Sequence, residues 1–243
     1  RVVWWGELFV LPRDVCDPGP PRSLGRSSGR ARARPSYPPP MIDFRAMVLD
    51  DGVPIEAVAE YLDSLTHDGR REAMQLPRKH QRALYGKALA APACDLDFFV
   101  PPDVDPLTPV HHYGRNTLPL PSAGKSFEKR MCRPQDGSGR LFGYNESPFL
   151  PLIGPGFFVV VPTAPNKEWE ERGPVVVDYF QVPDAPVSPS WPKVVPNSRG
   201  LQMFVYKGTR DFMRRVSAHC SIGAAFKGEK ALDHYFTLVR GDV

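Results

Sequence analysis

The residues best equipped for chemistry crowd the stretch from Tyr206 to Tyr235, which holds Lys207, Arg210, Asp211, Arg214, Arg215, Ser217, His219 and His234. Read as a helix with Thr209 as its N-cap, residues 209–220 place Arg210 with Arg214, and Arg215 with His219, at i and i+4 on one face. Paired guanidinium groups in that arrangement suit bidentate capture of a carboxylate or phosphate, with His219 as proton donor. Asp178 follows Val175, Val176 and Val177 at a position that faces a sheet interior, where a carboxylate requires a partner; the polar face of an edge strand is the alternative. His219 and Asp178 are therefore the candidate catalytic acid–base pair, with Ser217 or Cys220 as candidate nucleophile. Tyr179, Trp191, Arg210, Arg214 and Tyr235 are the candidate ligand-binding residues. The competing reading is a solvated basic helix face with one core histidine.

Asp95, Asp97, Asp103, Asp105, His111 and His112 form the densest run of metal-type ligands. Carboxylates mixed with imidazoles suit Mn, Fe or Zn. Adjacent histidines on a strand point to opposite faces, however, and aspartates in a proline-rich loop ordinarily cap turns. No metal site is assigned, and no cofactor follows from any motif. Gly124, Lys125 and Ser126 spell the end of a phosphate-binding loop, but Pro119 stands where the leading glycine belongs and a strand, not a helix, follows. Ser122 and Lys125 match a serine–lysine hydrolase spacing without its companion motifs. Gly154 and Gly156 begin a dinucleotide fingerprint that lacks its third glycine and reads as a turn.

These side chains must be positioned by short elements, because the chain holds 29 prolines, each of which removes a backbone donor. Ile55, Val58, Ala59, Leu62 and Leu65 recur at helical spacing behind Pro54, and two further helices flank Pro77. Beyond Cys94, runs rich in Phe, Val, Tyr and Thr between Gly and Pro clusters predict strands at 98–100, 126–133, 141–144, 156–161, 175–182, 201–206 and 235–240. The fold class expected is α+β: a mostly antiparallel curved sheet or partial β-barrel, with an N-terminal helical subdomain and one helix near the C-terminus. Its divisions are a tail at 1–40, helices at 41–92 and a β-rich domain at 93–243.

The formal charge of +4 invites a nucleic-acid reading until it is located. Of 31 basic and 27 acidic residues, seven arginines and three acids lie in residues 1–40, which leaves 24 of each in the remainder. A neutral body offers no broad footprint for a phosphate backbone, so no nucleic-acid partner is expected. The Pro-, Arg-, Ser- and Gly-rich tail cannot offset its ordering entropy and is expected to be disordered; it reads either as a basic interaction or targeting arm or, the favoured reading, as a non-native extension ahead of a native start at Met41. Cys16, Cys94, Cys132 and Cys220 make no metal or disulfide pattern, which fits reduced thiols and a cytoplasmic address. Residues 147–166 are uncharged but broken by five prolines, so neither a membrane span nor a membrane partner is expected.

Three functions fit this reading: a pocket in a curved sheet for a small anionic or aromatic ligand, an enzyme using His219 and Asp178, and a non-catalytic interaction module using the helices at 54–90.

Overall fold

A computed structural model describes residues 43–117 and 124–241. The arginine-rich tail, Cys16, Met41 and Ser122 lie outside them. The body is an eight-stranded, entirely antiparallel closed barrel in which each strand pairs with the next and the last with the first. Its strands are β1 (Val110–Asn116), β2 (Ser126–Cys132), β3 (Leu141–Glu146), β4 (Phe158–Pro162), β5 (Val175–Asp178), β6 (Thr209–Arg215), β7 (Cys220–Lys227) and β8 (Lys230–Arg240). The mixed α and β content agrees with the expectation, but the sheet closes fully where β1 pairs with β8, from His112 opposite Arg240 to Asn116 opposite Phe236. Closure removes both edges, which otherwise leave rows of unpaired backbone groups.

Helices α1 (Phe44–Leu49), α2 (Ile55–Ser64), α3 (His67–Arg70) and α4 (Arg78–Lys87) precede the barrel, with a 3-10 turn at Arg71–Gln75. Ile55, Val58 and Leu62 on α2 and Leu84 on α4 join Val216, Cys220, Ile222 and Val239 in one buried cluster. The helices thus cover the outer face of β7 and β8, each buried aliphatic contributing about 1.5–3 kcal/mol relative to exposure. A second outer cluster joins Phe142, Tyr144, Phe157 and Val159 to Trp191, with Val182, Val187 and Val194 of the proline-rich crossover packed against it.

Three local expectations are corrected. Residues 98–100 form no strand: Phe98 and Phe99 belong to α5 (Leu96–Phe99) and Val100 is its C-cap, because the Asp95 carboxylate accepts the Phe98 N–H at 2.8 Å as an N-cap. Residues 201–206 hold α8 (Gln202–Val205) rather than a strand. The expected helix over 209–220 is β6, a turn, and the start of β7. Residues 211–214 are all buried, Asp211 and Met213 facing the barrel lumen and Phe212 and Arg214 the outer packing layer. A strand covered on both faces loses its period-2 signature. Thr209 caps nothing helical; its hydroxyl donates to the Tyr206 carbonyl at 2.7 Å. Two further helices, α6 (Leu150–Ile153) and α7 (Lys167–Arg172), lie between strands. Among the described residues no helix is long and apolar enough to cross a membrane.

Candidate functional site: a caged lysine in the barrel

One end of the lumen is closed. Phe98, Phe99 and Val100 of the α5 region pack against Val110, Met131, Leu141 and Val160. His112 is buried beside them, with Nε2 2.9 Å from the Phe99 carbonyl, so Nε2–H donates and the ring is neutral. Burial pushes its pKa down to about 3.

Across the middle of the lumen, three inward-facing glycines each lie opposite an aromatic residue: Gly114 opposite Phe127, Gly143 opposite Phe158, and Gly223 opposite Phe236. A Cβ on these glycines would stand 2.6, 2.2 and 2.3 Å from the facing ring, so the tip of each ring occupies the space a side chain would take. The space so shaped holds the ammonium of Lys129, whose side chain is 3% exposed. Its Nζ lies 5.0 Å from the centroids of Tyr179 and Phe236, 5.1 Å from Phe158 and 5.6 Å from Phe127. Rings at this range attract a cation through their quadrupoles, by about 2 kcal/mol or more when desolvated.

All three ammonium donors find oxygen partners. Nζ donates to Asp211 Oδ2 at 3.0 Å, to Asn145 Oδ1 at 3.1 Å and to the Tyr179 hydroxyl. Asn145 is fixed in turn by donating Nδ2 to the Gly156 carbonyl at 3.0 Å. Burial lowers the Lys129 pKa, and the Asp211 charge opposes that shift. Desolvation, reinforced by Asp211, raises Tyr179 well above its ordinary value and holds it as a neutral phenol. Tyr206 stacks on Tyr179 with centroids 5.3 Å apart, and its pKa is pushed up to about 12, first by burial.

Above this floor the lumen stays open. A cavity of about 370 Å³ reaches from Lys129, Asp211 and Tyr179 to a mouth formed by the ends of β1, β3 and β5, the starts of β2 and β8, and α8. Phe127, Tyr206, Tyr235 and Phe236 give its walls their aromatic character, with Asn116, Thr117 and His234 as polar points. Burial, then Arg78, lowers the His234 pKa, favouring the neutral imidazole.

Of the candidate catalytic and ligand-binding residues, Tyr179 and Tyr235 line this cavity, as do Tyr206, Asp211 and His234 of the wider 206–235 cluster. The remaining candidates face elsewhere. Asp178 pairs across β6 with Arg210, and the Arg210 guanidinium is 3.2 Å from its carboxylate and sandwiched between Trp169 and Phe180 on the outer surface. Arg214 donates to the Tyr85 and Glu171 carbonyls at 2.8 and 2.9 Å and ties helices to the barrel. Trp191 packs on Tyr144 outside the barrel. His219 lies in the β6–β7 turn, beyond the far end of β6 from Asp178, so the two are not brought together. Its surroundings are a surface cleft of about 450 Å³ shared with Asp103, Asp105 and Arg240. Ser217 Oγ accepts the His219 and Cys220 N–H groups as a turn cap, and burial pushes the Cys220 thiol up to about 12. No metal-type cluster of three His, Cys, Asp or Glu forms among the described residues. Asp97 pairs with Arg133 and His111 with Glu128.

Sequence reasoning missed Lys129, Asn145 and the three facing phenylalanines, and left Asp211 unassigned. A usable signal existed in β2, where Phe127, Lys129 and Met131 share one face by strict alternation, so a charge stands between two core residues.

The fold and site together define an up-and-down β-barrel with a polar centre at the floor of an internal cavity. No protein-family model, curated protein or solved structure compared with the chain matches it.

Proposed function

We propose that the barrel binds one small, mostly apolar, ring-bearing molecule in its lumen, with a polar group of that molecule directed at Lys129, Asp211 and Tyr179. The observation that carries this reading is the caged ion pair at the floor of an otherwise aromatic cavity. A buried ion pair is often no more stabilising than apolar residues of the same volume, so its retention beside an open space favours a role in recognition over one in folding. Eight-stranded barrels leave room for one small ligand, and about 370 Å³ lies within the usual range of such pockets.

The electrostatics narrow the ligand class. Asp211 already neutralises Lys129 at 3.0 Å. An anion would add a second negative charge to a dry site, whereas a neutral aromatic molecule with a carbonyl or hydroxyl group leaves the charges balanced. Of the two ligand types expected from sequence, the aromatic one fits better.

The test is a fluorescence titration with N-phenyl-1-naphthylamine, a neutral two-ring probe. Saturable binding of one equivalent is expected, and it is lost in Ala225→Phe, which fills the wall of the cavity between Asp211 and His234. Binding unchanged in that variant sinks the proposal.

A second reading, catalysis by Lys129 as an amine nucleophile, is favoured by the lowered pKa of its ammonium. Adding the free amine to an aldehyde and expelling water forms an imine, with Asp211 taking the ammonium proton. Borohydride reduction in the presence of benzaldehyde, followed by peptide mapping, separates the readings: a reduced adduct on Lys129 supports chemistry, whereas an unmodified Lys129 supports binding alone.

A further inference from the structure

We infer that the open end of the barrel docks on an anionic lipid bilayer. Nine large hydrophobic residues are exposed among the described residues, and seven of them, Phe149, Leu152, Phe180, Leu201, Met203, Phe204 and Val205, flank the mouth. Phe204 is 75% and Leu152 66% exposed. They belong to segments held side by side. Gln202 of α8 accepts the Gly156 N–H at 3.1 Å just after α6, and Phe149 and Val205 line the same cavity. Phe180 lies over Arg210 at the start of β6, on the same rim. Exposed apolar residues scattered singly need no explanation, but seven gathered around one opening mark a surface that is covered in use.

The charges around this rim indicate what covers it. Acidic residues near it are paired, Glu146 with Arg130, Asp178 with Arg210, Glu229 with Arg172 and Arg210, and Asp233 with Arg82, while Glu170 and Glu171 on α7, the helix that carries Arg172, are exposed. Lys125, Arg199, Lys207, Lys227 and Lys230 make no ion pair within 4 Å among the described residues. The unpaired charges around the rim are therefore mostly basic. Aromatic and aliphatic tips ringed by lysines suit the boundary between acyl chains and anionic headgroups, where the tips enter the hydrocarbon and the lysines stay wet. A second copy of this chain would bring like charges together, and lysine is depleted from protein interfaces. Docking here is interfacial and needs no spanning helix. It also brings the cavity mouth against the lipid.

The test is co-sedimentation of the full chain with phosphatidylcholine vesicles, with and without phosphatidylserine. Binding that requires phosphatidylserine and weakens with salt is expected. The double variant Leu152→Ser/Phe204→Ser, and separately Lys207→Glu/Lys230→Glu, should each weaken it by about tenfold or more, since each lysine near an anionic surface is worth roughly a fivefold factor. Far-ultraviolet circular dichroism and a cooperative urea transition report that each variant is folded. Equal binding of wild type and both variants, or no binding by wild type, overturns the inference. So does a concentration-dependent dimer in analytical ultracentrifugation that Phe204→Ser abolishes, because a second copy would then cover the rim.

Discussion

Replacing Asp211 by Asn keeps the shape of the lumen floor but removes the one charge that compensates Lys129, and the cost can be worked from the site. With the Lys129 side chain 3% exposed, the bare ammonium must either stay charged without a counter-charge or lose its proton. Breaking a buried pair in this way costs about 3–5 kcal/mol. Deprotonation sets a ceiling: for a lysine of ordinary pKa about 10.4 at pH 7 it costs about 4.6 kcal/mol, at 1.36 kcal/mol per unit. Thermal unfolding should therefore fall by roughly 6–18 °C, at about 2–4 °C per kcal/mol for a domain of this size. The ceiling also gives a sign. Burial depresses the folded-state pKa of Lys129 below its unfolded value, and losing Asp211, which opposes that shift, depresses it further; between the folded-state pKa and about 10.4 the unfolded chain therefore binds more protons and stability rises with pH. The penalty of Asp211→Asn should thus shrink to below about 2 kcal/mol at pH 9. Urea unfolding at pH 7 and pH 9 measures both quantities, and Lys129→Met/Asp211→Asn should recover most of the loss. A penalty under about 1 kcal/mol at pH 7, or one that does not change with pH, would refute the view that the ammonium is held by that carboxylate.

Two further outcomes follow from the lumen. His112 has a folded pKa of about 3 against an ordinary 6.5, so stability present above pH 6.5 should drain away as pH falls toward 3; guanidinium unfolding of His112→Gln should show a shallower acid slope than wild type. A Cβ at Gly223 would stand 2.3 Å from the Phe236 ring and 2.8 Å from the Met213 sulfur, so Gly223→Ala should cost about 1–3 kcal/mol in urea unfolding, and Phe236→Leu added to it should restore part of the loss.

Much of the fold is legible in the sequence where one face of an element is wet. Helix α2 keeps Ile55, Val58 and Leu62 on its buried side and charge on the other, and β2 alternates, so both are readable from periodicity. Strands β6 and β7 are covered on both sides, by the lumen contents within and by helices or the α7 region without, and their patterns imitate a helix or nothing at all. Strand β1 hides for another reason. His111, His112, Gly114 and Arg115 carry little strand propensity, and the element exists because β2 and β8 pair with it on either side. Barrel closure rests on that pairing and is a tertiary fact that no local window contains.

The candidate site was legible only in part for the same reason. Tyr179 is a candidate from sequence and lines the cavity, but its neighbour Asp178 faces the opposite way, as strand alternation demands, and so leaves it. Reading 209–220 as a helix gathered Arg210, Arg214 and His219 onto one face. As a strand and turn, the same residues scatter to the outer wall and the far end, and Asp211 is the one that turns inward. The Gly114, Gly143 and Gly223 pairings that shape the lysine cage depend on strand register, which the individual segments do not reveal.

The central claim is that the space above Lys129 is a ligand site. The most direct measurement is a crystal structure of the chain grown with N-phenyl-1-naphthylamine. One probe molecule is expected inside the barrel, its rings against Phe127, Tyr206 and Phe236 and its amine toward the Lys129 floor. A lumen holding only ordered water, with the probe on the outer surface, would contradict it.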